Sequence, residues 1–160
     1  VATDLRLILG VAHIAVEMER MGDHAAGVAK VTLEICGEPM LKPLIDLPRM
    51  AEISIEMVHE GVRAFINGDA EVANSIIERD DDVDALHNQI FRELITYMLE
   101  DTSTIRRATH LLWASHAVER FADRATNIAE RILFVTSGRL EDLTSEATEA
   151  GVTPDEACEV

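Results

Sequence analysis

Basic residues are scarce in this chain: 14 Lys and Arg stand against 30 Asp and Glu, a formal net charge of −16. A field of that sign repels phosphate backbones and favours cations or basic partners. No local basic patch reverses it, so the chain is expected to bind no nucleic acid. Aromatic residues are scarce too, 4 % of the chain with one Trp and one Tyr, which disfavours a β-sandwich core. The two cysteines, Cys36 and Cys158, have neither metal-ligand nor disulfide spacing. That reads as a reduced, cytoplasmic protein. No apolar run reaches the roughly 18 residues that span a bilayer, and no signal peptide is visible. A glycine-rich phosphate loop, a nucleophile elbow and a zinc signature are all missing, so nothing points to catalysis. The chain opens on "VATDLRLI" rather than on Met, and the expectation is that an N-terminal part is missing.

What is present is aliphatic. Apolar residues make up 48 %, mostly Leu, Ile, Val, Met and Ala, a composition suited to packed helices. Thr3 or Asp4 is the expected cap of a first helix running to about Cys36, with Gly37 as its stop. "GEPMLKPLIDLP" holds three prolines and reads as a connection. Pro48 suits the first turn of a second helix capped by Asp46, which stops at Asn67–Asp69. Asp69 caps a third helix to about Leu99. Thr102 or Ser103 caps a fourth, ending at Ser137 and Gly138. No segment reads as a strand, so the fold class is all-α, an antiparallel helical bundle. In the fourth helix Leu111, Ala114, Val118, Ala122, Ala125, Ala129 and Ile132 form a core stripe, with Trp113 as its aromatic anchor. Residues 139–160 form an acidic tail expected to be mobile.

The first and fourth helices match at an offset of one hundred positions. Arg6 pairs with Arg106, Glu19 with Glu119, Arg20 with Arg120, Asp23 with Asp123, Ala25 with Ala125 and Ala29 with Ala129. One helical unit is used twice. Both copies place two acids at i and i+4, an arrangement that costs a helix a few tenths of a kcal/mol unless a cation offsets it. Neighbouring Arg20 and Arg120 are one offset and a bound metal is another. The third helix adds Asp80 and Asp84, again at i and i+4. If the third and fourth helices pack antiparallel, Asp80, Asp84, Glu119 and Asp123 converge, and Asn127 and Glu130 extend the cluster. Oxygen ligands suit Mg²⁺, Ca²⁺, Mn²⁺ or ferric iron better than a structural zinc site. The bland alternative is a pair of solvated helix faces crossed by Glu–Arg pairs.

Other candidates are weaker. Glu56 and His59 make an E-x-x-H and Asp84 and His87 a D-x-x-H, but a di-iron bundle needs paired E-x-x-H motifs. Both histidines are expected at the helix surface. His116 is expected to flank the acids without ligating. His13, His24 and His110 read as ordinary surface or boundary residues.

"EMERMGDHAAGVAK", "TYMLEDTSTI" and "VERFADRATNIAERILF", with "ERDDDVDAL" between them, resemble the PhoU family of bacterial phosphate-uptake regulators over about residues 2–138. The resemblance implies a repeat of three-helix units, of which this chain carries one complete unit plus one helix of the other. Residues 1–47 would be the last helix of the first unit and its connection, and 48–138 the complete second unit. It implies a non-enzymatic negative regulator of phosphate uptake and starvation signalling. Such a protein is an adaptor between the phosphate ABC transporter ATPase and a sensor histidine kinase. It meets the membrane only through these partners. Homodimer formation is expected from the apolar surface that the missing helices would leave. The resemblance also implies metal ions on the E/D-x-x-x-D motifs, an iron cluster foremost, with Mn, Mg, Ca or Zn as alternatives. By matching positions the second site uses Asp80, Asp84, Glu119 and Asp123, with Asn127 and Glu130 as further ligands, and the first uses Glu19 and Asp23. Gly27 and Lys30 stand where Asn127 and Glu130 do, so the second site is expected to be the better one and the first partial or empty. A carboxylate-bridged di-iron oxidase or metal-storage bundle is the alternative reading.

Overall fold

The computed structural model describes residues 2–137, which form four helices. They are α1 (Ala2–Ile35), α2 (Asp46–Asn67), α3 (Ala70–Glu100) and α4 (Ile105–Ser137), with a single 3-10 turn at Thr102–Thr104. No strand occurs among the described residues, as the all-α expectation requires. Gly138 and the acidic tail lie outside them.

The helix ends follow local chemistry, with three differences from the expected caps. α1 has already begun at Ala2, so Thr3 and Asp4 lie inside its first turn and Asp4 faces the positive end of the helix dipole. α2 begins at Asp46, and the residue before it, Ile45, offers no side-chain cap. At the third junction Asp101, not Thr102 or Ser103, is the cap: its carboxylate accepts from the Ser103 N–H at 2.9 Å and the Ser103 hydroxyl at 2.8 Å. The 3-10 turn inserted there shifts α4 to start at Ile105. The α2–α3 corner is as expected. Gly68 takes the left-handed conformation, φ 66°, which costs glycine least. The next residue, Asp69, accepts from the N–H groups of Glu71 and Val72, both at 3.1 Å.

α4 is the central helix, packing against α1, α2 and α3, whereas the backbone of α1 lies against α4 alone among the helices. All seven residues of the expected α4 stripe are buried, joined by Ile128. They meet Met50 and Met57 of α2 and Ile76, Val83 and Leu94 of α3, all fully buried. Alanines at 114, 122, 125 and 129 let the neighbouring backbones approach closely. Trp113 is not the anchor. It is 57 % exposed, because it stands about 100° around the helix from Ala114. Its ring meets the edge of His110 at 5.3 Å. His110, expected near the surface, is 7 % exposed, held between the Arg106 carbonyl and Glu34 of α1, each at 2.7 Å.

The connection between α1 and α2 is strapped down by charge. Glu38 pairs with Arg106, Lys42 with Glu93 of α3, and Arg107 donates to the Pro39 carbonyl at 3.1 Å.

Candidate functional site

α3 and α4 form an antiparallel hairpin, and the i, i+4 spacing sets Asp80 and Asp84 on one face of α3. Glu119 and Asp123 occupy the facing side of α4. Asp80, Asp84 and Glu119 are each raised, with the charge of Asp123 among the causes. Burial, then repulsion from Asp84, Asp123, Glu119 and Asp81, pushes the Asp80 carboxyl up to about 7. Asp84 is raised by burial and by Asp123 and Asp81, with His87 opposing. Glu119 is raised by burial, Asp123 and Asp84, with His116 and His87 opposing. Like charges brought together this closely favour a shared proton or a cation.

Two histidines close one end of the face. His87 is half-buried rather than on the surface, its Nδ1 2.8 Å from the hydroxyl of buried Ser115, and its ring lies 6.1 Å from that of His116. His116 Nδ1 lies 3.1 Å from Glu119 Oε2. The approach is off the hydrogen-bonding direction, and that buried oxygen has no hydrogen-bond partner.

The donor chemistry, carboxylate oxygens with one orphaned, suits an oxygen-preferring cation. The side chains as placed do not complete a cage: among the described residues no three His, Cys, Asp or Glu groups gather closely enough to hold an ion. Asn127 turns away from the acids and donates to Glu17 Oε2 at 3.1 Å. Glu130 is half-buried, two turns beyond Asp123. Glu19 and Asp23 are exposed on α1. His24, half-buried on α1, is held below the usual imidazole range by burial and by Arg120 and Arg124 of α4, against the pull of Asp23 and Asp123. Glu56 of the E-x-x-H on α2 pairs with Arg79 at 2.9 Å.

One functional candidate escaped the sequence reading. Glu17 of α1 is 2 % exposed, a carboxylate inside the α1–α4 interface. Its Oε1 accepts from Arg20 at 3.1 Å, and its Oε2 from Asn127 at 3.1 Å and Arg124 at 3.3 Å. The signal was available: Gly10, Ile14, Glu17 and Met21 share one 3-4 stripe, with Glu17 the lone acid on it.

The PhoU domain family model matches residues 47–132. A Rhizobium meliloti protein, "Phosphate-specific transport system accessory protein PhoU homolog", is 40 % identical over 86 % of this chain and 58 % of its own length. An Aquifex aeolicus protein of the same description is 43 % identical over 87 % of this chain and 63 % of its own. The chain thus spans about three fifths of these relatives. The crystal structure of PhoU from Pseudomonas aeruginosa superposes with a TM-score of 0.83 at 34 % identity, over 87 % of this chain and 67 % of that one. The phosphate transport system regulatory protein PhoU from Streptococcus pneumoniae gives 0.79 at 32 %, over 88 % and 67 %. This chain belongs to the PhoU family.

Proposed function

We propose that the chain is the acidic regulatory part of a PhoU-type accessory protein, a non-enzymatic negative regulator of phosphate uptake and of phosphate-starvation signalling. It acts by contact, as a cytoplasmic, homodimeric adaptor between the phosphate ABC transporter ATPase and a sensor histidine kinase, reaching the membrane through them. The observation that carries this reading is the similarity itself. Relatives described as phosphate-specific transport accessory proteins match at 40–43 % identity over 86–87 % of this chain. The absence of a spanning helix among the described residues is compatible with a peripheral role. The face formed by Asp80, Asp84, Glu119 and Asp123 supports a second element of the reading, a carboxylate site for an oxygen-preferring cation. Its residues would hold the ion in place of the proton that the raised Asp80 carboxyl otherwise favours. The oxidase alternative is less favoured by the donor set, because the sequence holds a single E-x-x-H, Glu56–His59, where a di-iron bundle uses a pair.

The test uses the full-length protein in a cell carrying a phosphate-starvation reporter. Deletion is expected to derepress the reporter in phosphate-rich medium, and the wild-type gene to restore repression. A reporter that stays repressed on deletion rejects the regulatory role. Manganese titrated into chelator-treated protein tests the site separately. An Asp80→Asn and Asp123→Asn double variant is expected to weaken binding at least about tenfold, and unchanged binding rejects the assignment.

A further inference from the structure

We propose that Arg124 is a positioning residue that couples the acidic face of α3 and α4 to the docking of α1. Its guanidinium is shared between two acids on different elements. Nη1 reaches Oε2 of Glu17 on α1 at 3.3 Å, and Nη2 lies 3.6 Å from Oδ2 of Asp123. Nε donates to the Arg120 carbonyl at 3.3 Å, which fixes the fork between the two carboxylates. Asp123 is in turn a charged neighbour of Asp80, Asp84 and Glu119. Since among the described helices the α1 backbone lies against α4 alone, the buried Glu17 contact bears directly on how firmly α1 is held. Neutralising Asp123 commits Arg124 to Glu17, and removing Glu17 returns it to Asp123. One cation divided between two acids links the elements that carry them. The inference goes beyond the proposed function and rests on the ion pairs of Arg124.

The internal repeat supplies a control. The counterparts of Glu17, Arg124 and Asn127 in the other copy are Ala117, His24 and Gly27. These three also meet across the α1–α4 interface: a methyl built on Gly27 would stand 3.9 Å from Ala117 Cβ, and His24 and Ala117 line one apolar groove. No carboxylate occupies the Glu17 position there, so Asp23 has no equivalent relay into α4. The coupling runs through one end of the interface only.

The test is a double-mutant cycle on the full chain in chelator, read by amide hydrogen exchange in Ile14–Met21 of α1. Asp123→Asn alone is expected to slow that exchange at least about threefold relative to α2. The slowing is expected to vanish in a Glu17→Gln background. It should vanish equally with Arg124→Lys, which keeps the charge but lacks the fork needed to serve two acids. Asp23→Asn should show no dependence on Glu17. Slowing that persists in either background, or no slowing at all, overturns the proposal. Should Glu17→Gln release α1 altogether, the Arg124→Lys arm decides.

Discussion

Because burial and then Asp84, Asp123, Glu119 and Asp81 push the Asp80 carboxyl up to about 7, against an ordinary 3.8, the folded chain binds this proton more tightly than the unfolded chain. The sign follows: the penalty is absent below about pH 4, grows between the two values and is complete above about pH 7. Metal-free protein is therefore expected to gain stability as the pH falls from 8 to 5.5, by about 1–2 kcal/mol once solvent screening of the half-exposed group is allowed for. Urea unfolding in chelator at the two pH values measures it, and Asp80→Asn should flatten the difference. A pH response that Asp80→Asn leaves intact assigns it elsewhere. The acid pairs behind this behaviour were legible in the sequence, since i, i+4 spacing fixes a helix face without knowledge of the partner. Glu17 left a trace there, the lone acid on an apolar stripe, but its role could not be read until its partners on α4 were known. Asn127 misled for the same reason: spacing placed it near Asp123, and the contact that claims it comes from α1.

At the scale of the helix, corners with a dedicated residue could be read and those with an inserted turn could not. Gly68 and Asp69 announced the α2–α3 corner. Asp101 was passed over because the 3-10 turn behind it displaces the start of α4. Asp69→Ala is expected to cost about 1 kcal/mol, read as a shift in urea midpoint at constant slope. Thr102→Ala should cost little, since Asp101 supplies the cap there. α1 carries a further consequence of the repeat. Its Ile8, Val11 and Met18 are exposed, while their counterparts Ala108, Leu111 and Val118 on α4 are buried against the other helices. α1 thus presents to solvent the apolar stripe that its twin covers. Val11→Lys with Met18→Lys is expected to change stability by no more than about 0.5 kcal/mol. The same pair should abolish concentration-dependent self-association in sedimentation, and self-association that survives it places the contact on another face.

For the whole molecule, charge is the dominant property. At −16, with carboxylates on its most distinctive face, the chain is expected to repel free phosphate, as the proposed role by contact requires. Calorimetric titration of phosphate into metal-free protein should show no micromolar binding. Micromolar heat would mean that the protein senses phosphate directly. The attachment of α1 also sets an order in time. Its ties to α4, from Glu17–Arg124 to Glu34–His110, join residues 107 and 76 positions apart, whereas α2, α3 and α4 follow one another through short corners. Hairpins close early and distant pairs late. At a synthesis rate of about 5–20 residues per second, α1 leaves the ribosome about 5–20 s before the helix it needs exists. For that interval the Glu17 carboxylate and the apolar residues beside it wait without their α4 partners, and among the described helices the docking of α1 onto α4 comes last.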